Sequence, residues 1–410
     1  MTRLDRVATV QARIGWKALT AAEYVDDGHI FLSTPNIKNR DIDFENVNYI
    51  SSFRYEESPE LKLQIGDVLL AKDGSTLGIA NYVRHLPGPT TVNGSIAVVR
   101  PHDVEPSFLT YWLQGQVIQS RIQELKDGMG VPHLFQQDIR KLPVPDLERQ
   151  EQRRIADFLD DRVSRIDRII AARRLQASLI QSIRLAEMSE RMDELAAAFG
   201  LAPLRRFCAG IEQGASPVTE DRPADSGECG VLKTSAIQGG TFRPDQNKVM
   251  DPDRADDRFL VCWGDVLVTR GSGSADLVGD AAVAQPKEGQ RLYLSDLTYR
   301  LRSLSLVPDY ACLAIICARG RAELGAMVRQ GSGPAKARGE DVLSISVPRA
   351  PIGIQRVMVD DWEKIERIAA VGRSRVEASA DLLGEFKESL ITAAVTGELD
   401  VTTAGSGIPG

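Results

Sequence analysis

The sequence predicts an α+β protein with an internal pseudo-two-fold: two similar α/β domains separated by two long helices, which pack as an antiparallel coiled coil. Residues 65–72 (IGDVLLAK) return as residues 263–270 (WGDVLVTR), 198 positions later. A Gly-x-Gly loop and a Val-Pro pair within residues 128–145 return within residues 331–348, 203 positions later. With 410 residues, the chain is long enough for two such domains and their connecting helices.

The first domain is predicted to be mixed α/β. Short apolar runs at residues 47–50, 68–71, 79–83 and 95–99 are typical of strands, with Gly- or Pro-containing turns between them, and a helix is expected to begin near Pro106. The same pattern is expected again over residues 201–347. The repeat therefore predicts two domains of the same fold.

A long helix is predicted after each domain. Residues 148–198 contain no Pro or Gly, and Ile155, Leu159, Val163, Ile166 and Ile170 recur at steps of three and four. A second amphipathic stretch covers residues 353–395, although Gly372 and Gly384 are expected to interrupt it. Because a single long helix is unstable alone, each is the natural partner for the other.

Composition narrows the class of protein. The chain has no apolar run of about 18 residues and no signal-peptide core at its start, so we expect a cytoplasmic protein. The five cysteines and four histidines lack metal-ligand spacing, so no metal is expected and the thiols should be reduced. The formal net charge of -7 argues against a simple nucleic-acid binder, unless basic groups are concentrated on one face or a partner supplies them.

No catalytic motif is present: the sequence lacks a phosphate-binding loop, a dinucleotide-binding fingerprint, a metalloprotease helix and a nucleophile elbow. Asp67 and Asp265 could be catalytic carboxylates, but their Gly-Asp-Val-Leu setting favours turn residues that precede a strand. We therefore predict no catalytic residues.

Basic, amide and hydroxyl residues near the loops of both repeats are candidates for DNA contact, because such side chains can bond base edges or phosphates. Solvated polar loops remain the alternative for each residue taken singly. The candidates are Lys38, Arg40, Lys72, Ser75, Arg84, Asn93, His133 and Gln136 in the first repeat, and Lys233, Arg243, Arg270, Ser272, Lys336 and Arg338 in the second.

Several segments resemble the specificity (S) subunits of Type I restriction-modification systems. Residues 142–160 and 164–170 resemble the family's central conserved region, and residues 386–399 resemble its distal one. Residues 66–69 and 128–134 are similar to motifs of its target recognition domains. The resemblance implies target recognition domains at 1–145 and 200–348 and conserved helical regions at 146–199 and 349–398. The small and polar residues at the end of the chain predict a disordered tail at 399–410.

The resemblance also implies a function. Each target recognition domain would read one half of a bipartite site in double-stranded DNA, and the helical regions would space the halves and dock two methyltransferase (M) subunits. Restriction/translocase (R) subunits would join them. The S chain itself would carry no catalysis and no cofactor, with S-adenosylmethionine, ATP and Mg²⁺ on the partners. The residues expected to dock partners are Gln152, Ile155, Leu159, Ile166, Trp362, Ile365 and Phe386.

Two alternatives stay open at this point: a two-headed coiled-coil scaffold that binds proteins, and an enzyme with an unrecognised site. One departure from the family pattern also matters. Residues 347–355 lack the acidic residue before Gln355, so the two M-docking surfaces are expected to be unequal.

Overall fold

The computed structural model describes residues 1–12, 19–38, 41–126, 132–272, 278–328 and 335–403. They form two compact units. The first comprises Met1–Arg174 and Glu377–Gly410, and the second is Leu175–Val376. Each unit contains one α/β domain and one half of each long helix, so the units divide the chain within the helices.

The first unit holds the first nine strands and the first five helices, together with the start of a sixth. The strands are β1 (Thr2–Arg3), β2 (Ala8–Gln11), β3 (His29–Leu32), β4 (Asn48–Ile50), β5 (Val68–Ala71), β6 (Ala80–Tyr82), β7 (Thr90–Val92), β8 (Ile96–Pro101) and β9 (Pro143–Val144). The helices are α1 (Leu4–Val7), α2 (Ser52–Glu56), α3 (Pro106–Gln114), α4 (Gln116–Leu125), α5 (Gln136–Ile139) and α6 (Arg149–Phe199).

The second unit repeats this plan. Its strands are β10 (Leu201–Pro203), β11 (Gly210–Gln213), β12 (Thr219–Glu220), β13 (Cys229–Leu232), β14 (Ile237–Gln238), β15 (Thr241–Phe242), β16 (Asn247–Met250), β17 (Val266–Thr269), β18 (Gly271–Ser272), β19 (Ala281–Val283), β20 (Arg291–Tyr293), β21 (Thr298–Arg302), β22 (Ala335–Lys336) and β23 (Ser346–Pro348). Its helices are α7 (Pro308–Ile316), α8 (Ala318–Met327), α9 (Gly339–Ser344) and the start of α10 (Ile352–Thr396).

The two main sheets of the first unit each have a counterpart in the second, which also contains additional short strands. The antiparallel sheet β2-β8-β5-β6 of the first corresponds to β11-β21-β17-β19 of the second. A second sheet has the order β4-β3-β7 in one unit and β16-β13-β20 in the other, where β12 extends it, and its last pair is parallel in both. The internal repeat in the sequence is therefore a repeat of the fold.

Both long helices form as predicted, but the predicted interruption of the second is wrong: α10 runs unbroken through Gly372 and Gly384. Each glycine costs about 1 kcal/mol relative to alanine, which packing along a long helix outweighs. The helices run antiparallel within each unit. In the first, Lys387 of α10 pairs with Asp167 of α6, and in the second, Arg191 of α6 pairs with Asp361 of α10.

The apolar stripe of the helices completes the core of each unit. Ile155 and Leu159 of α6 pack with Ile391 and Val395 of α10 against the first α/β domain. In the second unit, Met188 of α6 and the Trp362 side chain of α10 join the corresponding core. None of the helices in the described ranges is long and apolar enough to cross a membrane.

The chain after α10 differs from the disordered tail expected from residue 399. The backbone N–H of Leu399 donates to the carbonyl of Ala393 at 2.9 Å, and Leu399 and Val401 pack against the first core. Residues 404–410 lie outside the described residues.

Candidate nucleic-acid and partner interfaces

The aspartates of the repeated Gly-Asp-Val-Leu motif support the fold. Arg100 donates from Nε and Nη2 to the two carboxylate oxygens of Asp67, both at 2.7 Å, and the backbone N–H of Gln64 donates to the same carboxylate. In the second unit, Arg300 donates to Asp265 at 2.8 Å. Both aspartates stand immediately before a central strand, as the sequence predicted for turn residues.

The segment after that strand joins the segment after the Gly-x-Gly loop in both units. In the first, the backbone N–H of Leu134 donates to the carbonyl of Lys72 at 2.9 Å. In the second, the N–H of Ala337 donates to the carbonyl of Arg270 at 2.8 Å. We call these places the recognition edges, defined by residues 72–76 with 132–136 and residues 270–272 with 335–338.

The first recognition edge brings together four candidates, but it exposes them unequally. Ser75 is exposed on a short turn, whereas Lys72 is only 7% exposed and its Nζ lies 3.3 Å from Asp73. The half-buried His133 also bonds Asp73 through Nδ1. Burial alone would raise the pKa of Asp73, but the His133 hydrogen bond and the Lys72 charge outweigh it, so this pKa lies below its usual value.

Gln136, the fourth candidate, faces inward, where its Nε2 donates to the carbonyl of Val10 at 2.8 Å. Lys72 is buried and Gln136 is half-buried, and their bonds within the domain suit residues that shape the edge. Any DNA contact by them stays a prediction.

The second recognition edge carries more free cationic charge. Strand β18 pairs with β22, so Gly271 lies opposite Lys336. Lys336 and Arg338 are exposed, while Arg270 is held by Tyr299 Oη at 3.0 Å and by the carbonyl of Asp296 at 3.2 Å. The side chain of Ser272 lies outside the described residues.

The remaining candidates lie outside the residue ranges that define these edges. In the first unit, Lys38 and Arg84 surround Asn81, whose amide donates to the Lys38 carbonyl and accepts from Arg84. Arg84 also stacks on Tyr82, Lys38 pairs with an aspartate, and Asn93 caps its own turn at Ser95. Arg40 falls outside the described residues.

Two candidates of the second unit also lie outside the residue ranges that define its edge. Lys233 pairs with Asp221 at 3.4 Å. Arg243 is exposed and makes no side-chain bond within the described part of the chain.

Most of the predicted docking residues are internal. Ile155, Leu159, Ile166 and Trp362 are buried in their own cores. Gln152 is buried too, because its Oε1 accepts from the backbone N–H of Glu105 at 2.8 Å. Ile365 is half-buried and Phe386 is exposed. A docking role for the buried residues stays a prediction, but the structure gives them contacts inside their own unit.

Each long helix also carries an exposed apolar pair, and of its four members only Phe386 was predicted from the sequence to dock a partner. The four side chains are Leu179 (50% exposed) and Ile183 (66%) on α6, and Leu382 (65%) and Phe386 (49%) on α10. The pairs have the same four-residue spacing and lie 203 positions apart, at equivalent places in the repeat. The 203-residue offset could have identified these pairs from the sequence, because it relates apolar residues that lie beside the buried apolar stripe on both helices.

No three His, Cys, Asp or Glu side chains in the described ranges are grouped so that they could hold a metal ion.

Residues 13–177 match the profile of the family described as Type I restriction modification DNA specificity domain. Over 97% of this chain and 88% of the relative, the chain is 22% identical to the Type I restriction enzyme EcoKI specificity subunit of Escherichia coli strain K12. Residues 13–177 therefore form a Type I specificity domain, and over most of its length the chain is similar to Type I specificity subunits. It is also 19% identical, over 97% of its length and 88% of the relative, to the StySPI specificity subunit of Salmonella potsdam.

The fold agrees with this family assignment. A solved chain from a type I R-M system superposes with a TM-score of 0.62 at 17% identity, covering 97% of each chain. As a specificity subunit, the chain is a DNA sequence-specificity protein, and the protein-binding scaffold considered as its alternative is not favoured.

Proposed function

We propose that each α/β domain of this specificity subunit reads one half of a bipartite site in double-stranded DNA through its recognition edge. The observation that carries the proposal is the repeated backbone bond from Leu134 to Lys72 and from Ala337 to Arg270, which builds the same edge twice. One edge for each half-site is the simplest use of this duplication. Exposed Ser75, Lys336 and Arg338 are the residues best placed to touch DNA.

The exposed apolar pairs support two docking places for methyltransferase subunits, at corresponding positions of the repeat but with different side chains, in keeping with the unequal surfaces expected from the sequence. Leu179 with Ile183, and Leu382 with Phe386, leave apolar surface in water at equivalent positions of the repeat. Two apolar surfaces at corresponding positions suit two copies of one partner. We therefore assign docking to these pairs, in which Phe386 is the one member predicted from the sequence.

Catalysis and cofactors are assigned to the partner subunits. In the proposed complex, the M subunits bind S-adenosylmethionine and methylate an adenine that must leave the base stack to react. The R subunits use ATP and Mg²⁺. The specificity subunit determines which DNA sequence is recognised. Because its net charge is -7, we assign most of the phosphate contacts to basic surface on the M subunits.

The test is co-expression of the chain with its methyltransferase in a host without adenine methylation, followed by long-read mapping of methylated adenines. We expect a motif of two short specified blocks around an unspecified gap, which disappears when this chain is omitted. A continuous motif, or methylation unchanged by the omission, would refute the two-edge proposal.

A further inference from the structure

A buried arginine links the second α/β domain to the helices. Arg184 of α6 is 3% exposed, and its Nη2 donates to the carbonyl of Gly239 at 3.2 Å. The same guanidinium pairs with Glu366 of α10 and lies 4.8 Å from the centre of the Trp362 ring. The Arg184 side chain therefore connects its own helix, α6, to α10 and to the domain.

The domain meets Arg184 at a tight turn between β14 and β15. Gly239 and Gly240 have φ values of +57° and +84°, a conformation that favours glycine. The N–H of Gly239 donates to Asp280 Oδ2 at 2.8 Å, while its carbonyl faces Arg184. The peptide unit before Gly239 is therefore held by Asp280 of the domain, and the peptide unit after it is held by Arg184 of α6.

Electrostatics make this link sensitive to substitution. Burial, together with the charge of Arg373, lowers the pKa of Arg184 to about 10, although the charge of Asp280 opposes both effects. Arg184 remains charged at neutral pH. A buried charge needs its partners, so the guanidinium and the turn are expected to hold one another in a single arrangement.

In the first unit, residues 39 and 40, which correspond to Gly239 and Gly240, lie outside the described residues, but the equivalent helix position is described. Lys387 lies 203 positions after Arg184, and its Nζ bonds Asp167 of α6 at 2.8 Å. The space between these helices and the first domain is a cavity of about 340 Å³ lined by Gly78, Gln119 and Lys387, among others. Within the described residues, Lys387 therefore bonds the opposite helix, whereas Arg184 bonds both the opposite helix and the turn at Gly239.

We propose that Arg184 is a positioning residue that fixes the second α/β domain on the helix pair, and so restricts the gap length at which the second half-site is accepted. The inference rests on the proposed function, because a gap has meaning only for a bipartite reader. The proposal gives Arg184 a role in gap selection that is separate from the proposed DNA and methyltransferase contacts.

The test compares Arg184→Gln, Arg184→Lys and the matched control Lys387→Gln in the full chain co-expressed with its methyltransferase. Methylation is measured at sites whose gap is correct, or one base pair shorter or longer. We expect Arg184→Gln to raise the ratio of wrong-gap to correct-gap methylation roughly tenfold, the scale on which a charge-assisted hydrogen bond biases an equilibrium. Arg184→Lys should restore most of the preference, and Lys387→Gln should leave it unchanged.

A second readout does not depend on methylation. Hydrogen exchange at residues 237–242 should accelerate in Arg184→Gln and stay slow in Lys387→Gln. If Arg184→Gln does not fold, Gly239→Ala perturbs the same turn from the other side, because its new Cβ would lie 3.4 Å from Gln181 Nε2 at a positive φ. It should raise the same ratio.

The outcomes separate this inference from the proposed function. A folded Arg184→Gln protein with wild-type gap preference and wild-type exchange would overturn the inference while leaving the bipartite reader intact. A wild-type complex that methylates no bipartite site would refute the proposed function and with it the positioning role.

Discussion

Gln152 ties the start of α6 to the first α/β domain by accepting a hydrogen bond at Oε1 from the backbone N–H of Glu105, at 2.8 Å. Its Nε2 donates to the carbonyl of Leu147 at 2.9 Å. Gln355, 203 positions later, does the same for α10, with Val307 as donor and Ala350 as acceptor. Each glutamine accepts a hydrogen bond from the backbone N–H of the residue that precedes a helix of the domain, α3 or α7. The long helices and the domains are therefore joined at the same place in both repeats.

Gln152→Ala and Gln355→Ala should each lower the free energy of unfolding by about 1–3 kcal/mol, because a buried backbone N–H loses its acceptor. Urea denaturation of each variant measures this. Gln150→Ala, at an exposed position on the same helix, is the control and should have little effect. Equal stability of the Gln150 and Gln152 variants would contradict the bridging role.

Asp67→Ala should lower stability by about 3 kcal/mol, because the buried carboxylate is removed and Arg100 loses both of its carboxylate bonds. Asp67→Asn retains an oxygen for the Gln64 N–H and should cost less. Methylation per folded complex should persist in both variants, measured after denaturation curves have given the folded fraction. A fully folded Asp67→Asn complex without methylation would instead indicate a chemical role for this carboxylate.

Replacing one exposed apolar pair should remove one methyltransferase subunit. We expect Leu179→Ser with Ile183→Ser to change the complex from two M subunits to one, and the same change at Leu382 and Phe386 to do likewise. Native mass spectrometry counts the subunits. Leu175→Ser is the matched control, since this exposed leucine has an alanine as its counterpart in the repeat. Two bound M subunits in every variant would place docking elsewhere.

Lys336→Ala should weaken DNA binding by the complex in a salt-dependent way. The side chain is exposed on the second recognition edge, so a phosphate contact there would reduce the slope of log affinity against log salt by about 1. Fluorescence anisotropy at several salt concentrations measures that slope. An unchanged slope would exclude a phosphate contact by Lys336, and discrimination at the first half-site should be unaltered as an internal control.

The cysteines should react with iodoacetamide in an order set by burial. Cys262 is exposed and should be alkylated first. Burial raises the pKa of Cys312 well above its usual value and also raises that of Cys317, so both thiols stay protonated, shielded and unreactive until the chain unfolds. Peptide mass spectrometry over a time course gives the rates. Alkylation of Cys312 as fast as Cys262 in the native protein would contradict the packing of α7.

The repeat and the helices were predictable because their signals are local or periodic. An apolar residue every three or four positions is enough to predict α6 and α10, and equal spacing of Gly-Asp-Val-Leu identifies equivalent strands. The same reasoning failed at Gly372 and Gly384, because packing along the helix pair outweighs the local preference of two residues.

The candidate sites were harder to predict, because a residue type does not reveal where its side chain points. Lys72 and Lys336 are both lysines beside Gly loops, yet one is buried against Asp73 and the other is exposed. Ile155 and Ile183 are both isoleucines on one helix, yet one completes a core and the other faces water. Both distinctions depend on elements distant in sequence that cover one side chain and leave the other open.

By itself, the sequence determined that this protein has two α/β domains, two long helices and family motifs in a fixed order, because repetition and periodicity are properties of the chain. Only the tertiary structure decided that Gln152 bridges, that Leu179 and Ile183 remain in water, and that Arg184 holds the turn at Gly239. Those facts depend on burial and on hydrogen-bond partners up to 55 residues apart, as between Arg184 and Gly239. Such contacts exist only once the domain and both helices have packed together.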